Sequence, residues 1–181
     1  MAWTAPVTRA AADYVDESDW NEQIVENFKA INGFVRKTAD EDVTSSAALQ
    51  NDNELLYTIG ATGTYIAKLV LFVTSAANAA GDINLGFSFP TGTLSYGAFG
   101  LDSSLASGFS GTFAAQAVTS ATSGVTAIGL GASTATNMIV IETDFVATAT
   151  GTLQFMWSQN TSNANKTTVK AGSFMKVKQV A

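Results

Sequence analysis

The chain has 181 residues, of which 46% are hydrophobic, and its 15 acidic and 9 basic side chains give a formal net charge of -6. It contains no cysteine and no histidine, which excludes disulfides, thiolate chemistry, His-based nucleophile systems and the common zinc sites. The acidic balance argues against a nucleic-acid partner, and no apolar run approaches the roughly 20 residues of a membrane-spanning helix. A chain of this size can bury a hydrophobic core without disulfides or structural metals. From these observations together we predict no cofactor, no metal and no membrane contact.

The first 36 residues are predicted to form an extended arm followed by one short α-helix. Pro6 disfavours helix at the residue before it, and the helix is expected over about residues 18–32. Its apolar residues recur at helical spacing and form one stripe, which Val35 continues just past the end. Gly33 is expected to end the helix in the left-handed conformation. Such a stripe either packs on the core of its own domain or docks on a partner, and the candidate contact residues are Trp3, Pro6, Trp20, Ile24, Phe28 and Ile31.

From about residue 43 onward the hydrophobic period changes to 2, which is typical of strands. Residues 65–74 are apolar on both faces, as expected of a central strand. Residues 169–178 alternate with lysines and predict one last strand with a single wet face. The weakest stretch, residues 100–136, is expected to hold short strands near 112–118 and 124–130.

Turn signals rich in Gly, Pro and Asn separate eight or more of these short runs. Such spacing predicts an all-β fold, an antiparallel β-sandwich or jelly roll. We therefore predict two parts: an arm and helix at residues 1–36, used for tethering or oligomer contact, and a β domain at residues 37–181.

Charge is distributed very unevenly along the chain. Residues 1–54 hold eleven of the fifteen acids, whereas residues 55–165 hold five charged side chains in all. A free monomer usually covers about a quarter to a third of its surface with charged residues. The middle of the chain is either an unusual water-facing surface or a surface that faces other subunits, where charge is depleted. We favour the second interpretation and expect a homo-oligomer.

Several groups of residues have side chains that could form a metal-binding, catalytic or phosphate-binding site. Residues 40–42 and 51–54 are rich in oxygen ligands for Ca²⁺, but they lack the glycine-punctuated calcium loop and are expected to be solvated turns. Glu142 and Asp144 share a strand face, yet a glycosidase needs a carboxylate pair in an aromatic cleft. Residues 129–133 lack the lysine of a phosphate loop. No catalytic residue is predicted.

Three aromatic side chains could stack on a sugar ring. Trp157 continues the apolar face of Leu153 and Phe155, so we expect it in the core. Tyr96 and Phe99 lie near a turn and remain possible contact residues. A carbohydrate-binding module is therefore an alternative function.

Two segments of the chain resemble the N-terminal part of tailed-bacteriophage virion proteins. The first comprises Trp3-Thr4-Ala5-Pro6, then Trp20-Asn21-Glu22-Gln23-Ile24 and Asn27-Phe28. The second, Lys37-Thr38-Ala39-Asp40 with Val43-Thr44-Ser45-Ser46 and Leu49-Gln50-Asn51-Asp52, looks like the first strand of a β module in such proteins. The resemblance covers about residues 1–75 and brings no active-site residues with it.

The resemblance implies a structural role in a virion assembled in the host cytoplasm. We predict a non-enzymatic capsid decoration protein, which forms a homotrimer and attaches through its N-terminal arm to other virion proteins such as the major capsid protein. The alternative is a tail or neck fibre, or a receptor-binding module that recognises a host-surface glycan.

Overall fold

The computed structural model describes residues 33–75, 83–101, 111–117, 126–128 and 133–181, with side chains described except at position 101 and within 111–135. In this part of the chain every element is a strand, and there are twelve: β1 Gly33–Arg36, β2 Glu41–Val43, β3 Gln50–Ile59, β4 Gly63–Ser75, β5 Ile83–Ser88, β6 Gly92–Leu101, β7 Gly111–Ala117, β8 Thr126–Ile128, β9 Ser133–Ala147, β10 Gly151–Gln159, β11 Thr167–Val169 and β12 Phe174–Gln179. The predicted all-β class is confirmed.

The strands form two antiparallel sheets. Sheet A has eight strands in the order β1-β12-β4-β9-β6-β7, and β11 joins it by pairing with both β2 and β4. Sheet B has four strands in the order β3-β10-β5-β8. The strand β4 lies inside sheet A between β12 and β9, as the apolar run at residues 65–74 predicted. The short strands expected within residues 100–136 are β7 and β8.

One hydrophobic core lies between the two sheets. Period-2 alternation puts one set of side chains of each strand into it, for example Ile139, Ile141 and Phe145 of β9, each 0% exposed. Aromatic rings connect the sheets. The ring of Phe87 in sheet B lies edge-on to that of Tyr96 in sheet A, with centroids 5.3 Å apart. The predicted inward faces of β5, β9 and β10 are confirmed.

The strand region begins earlier than expected. Residues 33–36 form β1, paired with β12 from Gly33↔Val177 to Arg36↔Phe174, so the onset near residue 43 was wrong. Gly33 has no left-handed backbone and does not act as the predicted helix terminator. A Cβ at Gly33 would come within 2.5 Å of the Tyr57 ring and 2.7 Å of the Val177 carbonyl oxygen, so the position needs glycine for space.

The predicted last strand is two strands. The chain leaves sheet A after β11, makes a turn at residues 170–173, and returns as β12. Both strands pair with β4, Val169 opposite Val73 and Phe174 opposite Val70. Ala171, expected on the buried face, is exposed in this turn, and Gly172 has the left-handed backbone, φ 91°, that the turn requires.

Residues 37–52, which the resemblance places in a first strand, contain β2, a connecting segment and the start of β3. The predicted arm and helix, with all six candidate contact residues, lie outside the described residues. The division of the chain at residue 36 therefore stays a prediction, although the last four residues of its N-terminal part belong to sheet A.

Candidate interaction surface

The outer face of sheet A, which points away from the core, carries a continuous band of apolar side chains. Strand pairing aligns them in one row across four strands, with Phe174 opposite Val70, Val70 opposite Val140, and Val140 opposite Phe99. Further apolar side chains flank the row, and the rings of Phe34 and Phe174 lie 5.3 Å apart. We call this set the apolar band: Phe34, Val70, Phe72, Phe99, Met138, Val140 and Phe174.

The apolar band is open to solvent at several points. Phe34 is 55% exposed, Met138 44% and Phe99 42%. Beyond it on the same face, Ile66 is 47% exposed and Val146 44%. Single exposed apolar residues are common, but a contiguous group on one face marks an interaction surface.

Charged side chains on this face lie next to the apolar band and are separated by sign. Lys176 of β12 is opposite Lys68 of β4, which is opposite Glu142 of β9. In the neighbouring row Lys178 is opposite Ile66, which is opposite Asp144. The β12 side is therefore cationic and the β9 side anionic. Lys68 and Glu142 form an exposed ion pair on this face, with Nζ and Oε1 3.2 Å apart.

The outer face of sheet B differs, because the chain itself covers part of it, although Leu56 is exposed there. Gln154 and Ser158 point outward from β10 but are 9% and 0% exposed. Ser158 Oγ donates to the carbonyl oxygen of Ala47 at 3.1 Å, and Gln154 Nε2 donates to that of Asp52 at 2.7 Å. Segment 44–49 and the irregular part of β3 thus form a layer over this face.

A buried lysine lies where the edges of the two sheets meet. Lys37, just after β1, is 2% exposed, and Asp52 of β3 is 1% exposed. Lys37 Nζ donates to Glu41 Oε2 at 2.6 Å and to Asp52 Oδ1 at 3.0 Å, and Glu54 Oε2 is 3.8 Å away. Burial alone lowers the pKa of Lys37, but the hydrogen bonds that its ammonium donates to Glu41 and Asp52 outweigh burial and raise that pKa above its usual value.

More exposed acids of the same region pair with the C-terminal strands. The pKa of Asp40 is lowered by its hydrogen bond from Lys170 and by the Ala171 N–H. The pKa of Asp42 is lowered chiefly by the Thr168 hydroxyl, and that of Glu54 by the hydroxyl and N–H of Thr38. These contacts hold the segment before β3 against the turn between β11 and β12.

The acidic clusters at residues 40–42 and 51–54, expected to be solvated turns, lie mainly in strands β2 and β3, and Asp40 and Asp42 are exposed whereas Asp52 is buried. They accept hydrogen bonds from lysines, threonines and backbone N–H groups, and among the described residues no group of acids is arranged to hold a metal ion. Glu142 and Asp144 do share the outer face of sheet A, as predicted. Residues 129–132 lie outside the described residues.

The aromatic candidates separate clearly. Trp157 is 0% exposed, which confirms its place in the core, and Tyr96 is 5% exposed, so the expectation that Tyr96 is a contact residue was wrong. Its hydroxyl donates to the Leu85 carbonyl oxygen at 3.4 Å, across the core. Phe99 alone of the three is exposed.

Sequence reasoning missed two features. The apolar band could have been found from Val70, Phe72 and Val140, which are apolar at positions that alternation assigns to the solvent side. The Lys37 cluster has no periodic signal, because it depends on how two sheets meet. Within the described ranges no helix has the length and hydropathy to cross a membrane.

Comparisons with known proteins give little. No family model matches the chain, and no curated protein matches it. Among solved structures it is similar to a chain from the structure of infectious bursal disease virus, Gx strain, at 16% identity and a TM-score of 0.19, over 79% of this chain and 39% of that chain. The present chain thus matches less than half of that chain. A TM-score of this size establishes no shared fold.

Proposed function

We propose that this protein is a non-enzymatic structural protein of a tailed-phage virion, a capsid decoration protein built on a β-sandwich. The apolar band on the outer face of sheet A is the single observation that carries the proposal. It supplies the sparsely charged surface that the sequence predicts should face other protein. The absence of histidine and cysteine from the sequence supports a role without catalysis on a separate substrate.

The occupant of the outer face of sheet A is a second copy of this chain. The face is self-complementary, because the lysines on the β12 side can meet Glu142 and Asp144 on the β9 side of a neighbour while apolar bands pack together. Complementary charges of this kind fix the register of an interface. A contact of apolar band on apolar band is isologous and closes a dimer. The proposed homotrimer instead needs the β12 side of each copy to meet the β9 side of the next, a heterologous contact that closes into a ring.

The size of the face fits a stable contact. The strands from β1 to β6 span four spacings of about 4.8 Å each, and residues 64–72 of β4 extend about 30 Å. This area is of the order of the ~800 Å² that each partner contributes to a standard interface.

Attachment to the particle is assigned to residues 1–32. That segment carries the apolar residues Trp3, Pro6, Trp20, Ile24, Phe28 and Ile31, and it precedes β1, which is fixed at the edge of sheet A. The major capsid protein is the proposed partner, and several arms on one oligomer add avidity. The proposed location is the virion.

The test is co-sedimentation of purified protein with particles of the encoding phage that lack it. We expect the full chain to bind saturably. A chain lacking residues 1–32, cut before β1 so that sheet A stays intact, should keep its oligomeric mass and lose binding. Failure of the full chain to bind would contradict the virion role, and retained binding by the shortened chain would contradict the tether.

A further inference from the structure

The Lys37 cluster has the composition and geometry of a condensation site. The Lys37 amine and the Asp52 carboxyl group are both buried, and hydrogen bonds fix the chain near each of them. The backbone N–H of Lys37 donates to Ser173 at 2.8 Å, and its carbonyl oxygen accepts from Gly172 at 2.9 Å. Lys37 is thereby fixed to the turn before β12.

Asp52 is aimed at Lys37 by an irregularity in β3. Gln154 is opposite Leu56 and Met156 is opposite Asn51, so residues 52–55 bulge out against one residue of β10. Bulges of this kind redirect a side chain. Gln154 Nε2 donates to the Asp52 carbonyl oxygen at 2.7 Å and secures the bulge.

The two oxygens of Asp52 are in different environments. Oδ1 accepts from the N–H groups of Glu54 at 3.0 Å and Leu55 at 2.8 Å. Oδ2 is buried and forms an ion pair with Lys37 Nζ at 2.9 Å. Because Nζ is also 3.0 Å from Oδ1, the lysine nitrogen lies against the Asp52 carboxyl group.

We propose that Lys37 and Asp52 are joined by an intramolecular isopeptide bond that forms without any other protein. Glu41 acts as the catalytic proton carrier. Its Oε2 is 2.6 Å from Lys37 Nζ and is held by the Asn53 N–H at 3.0 Å. The raised pKa of Lys37 keeps its amine protonated in the ion pair, so the amine becomes a nucleophile only after Glu41 has taken a proton from it.

The reaction balances without a co-reactant. Glu41 takes one proton from the Lys37 ammonium and passes it to Asp52 Oδ2, so that a neutral amine lies beside a neutral carboxylic acid. The amine then attacks Asp52 Cγ and forms the C–N bond. The negative charge that develops on Oδ1 faces the N–H groups of Glu54 and Leu55, which act as an oxyanion hole. The nitrogen gives a second proton to Oδ2 through Glu41. The C–Oδ2 bond then breaks, water leaves, and Glu41 is a carboxylate again.

The bond would connect the edges of the two sheets. Lys37 follows β1 of sheet A and Asp52 belongs to β3 of sheet B, so the cross-link closes a loop across the core. A covalent loop restricts the unfolded chain and holds the edge strand β1 in place. This is independent of self-association and of attachment to a particle.

The experiment is mass spectrometry of the purified full-length chain after denaturation, followed by tryptic digestion. We expect the protein to lack the mass of one water molecule. We also expect no cleavage after Lys37, so that residues 37–68 form one tryptic peptide, closed into a loop between Lys37 and Asp52 and lighter by one water molecule. A full-mass protein with normal cleavage after Lys37 would overturn the proposal, and this result needs no variant to interpret.

Variants sharpen the assignment. Asp52→Ala should have the full mass calculated from its sequence, without the loss of water. Trypsin should cleave this variant normally after Lys37. Glu41→Gln should keep Asp52 and Lys37 in place but lose water far more slowly, by at least about tenfold, as expected when a proton-transfer group is removed. Loss of water in Glu41→Gln at the wild-type rate would remove Glu41 from the mechanism. Lys68→Met, on the outer face of sheet A, is the matched control and should lose water as the wild type does.

Discussion

The outer faces of the two sheets show how this chain treats surfaces that it covers and surfaces that it leaves open. On sheet B the outward residues Gln154 and Ser158 are buried and hydrogen-bonded by the chain's own loops. On sheet A the outward residues Ile66, Met138 and Val146 are apolar and almost half exposed.

Contact with water alone would favour polar side chains at exposed positions and apolar side chains at buried ones. These residues of the two outer faces show the opposite. Polar side chains under a cover need hydrogen-bond partners, and the loops over sheet B provide them. Apolar side chains need only exclusion of water, which a second protein surface can supply. The difference supports the proposal that another copy of this chain covers sheet A, whereas part of sheet B is covered by the chain itself.

The largest contrast is expected between two lysines. Lys37→Met should lower the free energy of unfolding by about 3–5 kcal/mol, because it leaves a buried carboxylate without its amine partner and removes the proposed cross-link. Lys68→Met, on the outer face of sheet A, removes an exposed pair and should change it by less than about 1 kcal/mol. Denaturant unfolding of the two variants measures both values, and equal losses would contradict the contrast.

A second pair of substitutions exchanges polarity between the outer faces. Gln154→Met should cost about 1–3 kcal/mol, because it leaves the buried carbonyl oxygen of Asp52 without its donor. Met138→Gln should change monomer stability by no more than about 0.5 kcal/mol but weaken self-association. Chemical denaturation at low protein concentration gives the first effect, and sedimentation gives the second. A large stability loss in Met138→Gln would show that the apolar band is structural.

The smallest expected effect is a loss of stability in acid that comes from Asp40, Asp42 and Glu54. Folding lowers the pKa of Asp40 and Asp42 below their ordinary value of 3.8, and that of Glu54 below 4.5. Their contribution is therefore present above those values and is lost as pH falls through the lower folded pKa. The urea midpoint should decrease between about pH 5 and about pH 2. The triple variant Asp40→Asn, Asp42→Asn, Glu54→Gln should show a flatter dependence, and an unchanged slope would refute these assignments.

Much of the fold could be predicted from period-2 alternation. It correctly indicated the inward faces of β5, β9 and β10 and the burial of Trp157, because a residue's face in a strand follows from parity. Parity cannot show where a strand is interrupted, so the turn at Ala171 was missed. Parity also cannot show where another part of the chain packs closely against the backbone, as Tyr57 and Val177 do at Gly33. For this reason Gly33 was wrongly predicted to end a helix.

The candidate site was less accessible to sequence reasoning. Low charge between residues 55 and 165 predicted a covered surface, but the alignment of Phe174, Val70 and Val140 depends on register between strands distant in the chain. The contact between Lys37 and Asp52 depends on an irregular bulge in β3. Neither is encoded in local spacing, and the proposed role of residues 1–32 stays a prediction.

The most direct test of the central claim is the solution mass of the full chain by light scattering and sedimentation. We expect a multiple of 18.8 kDa for the wild type, and a smaller assembly for the double variant Ile66→Lys, Met138→Lys on the outer face of sheet A. Leu56→Lys, at an exposed apolar position of sheet B, is the matched control and should keep the wild-type mass. A wild-type protein that remains a single 18.8 kDa species at every concentration would contradict the claim that sheet A is covered by further copies of this chain.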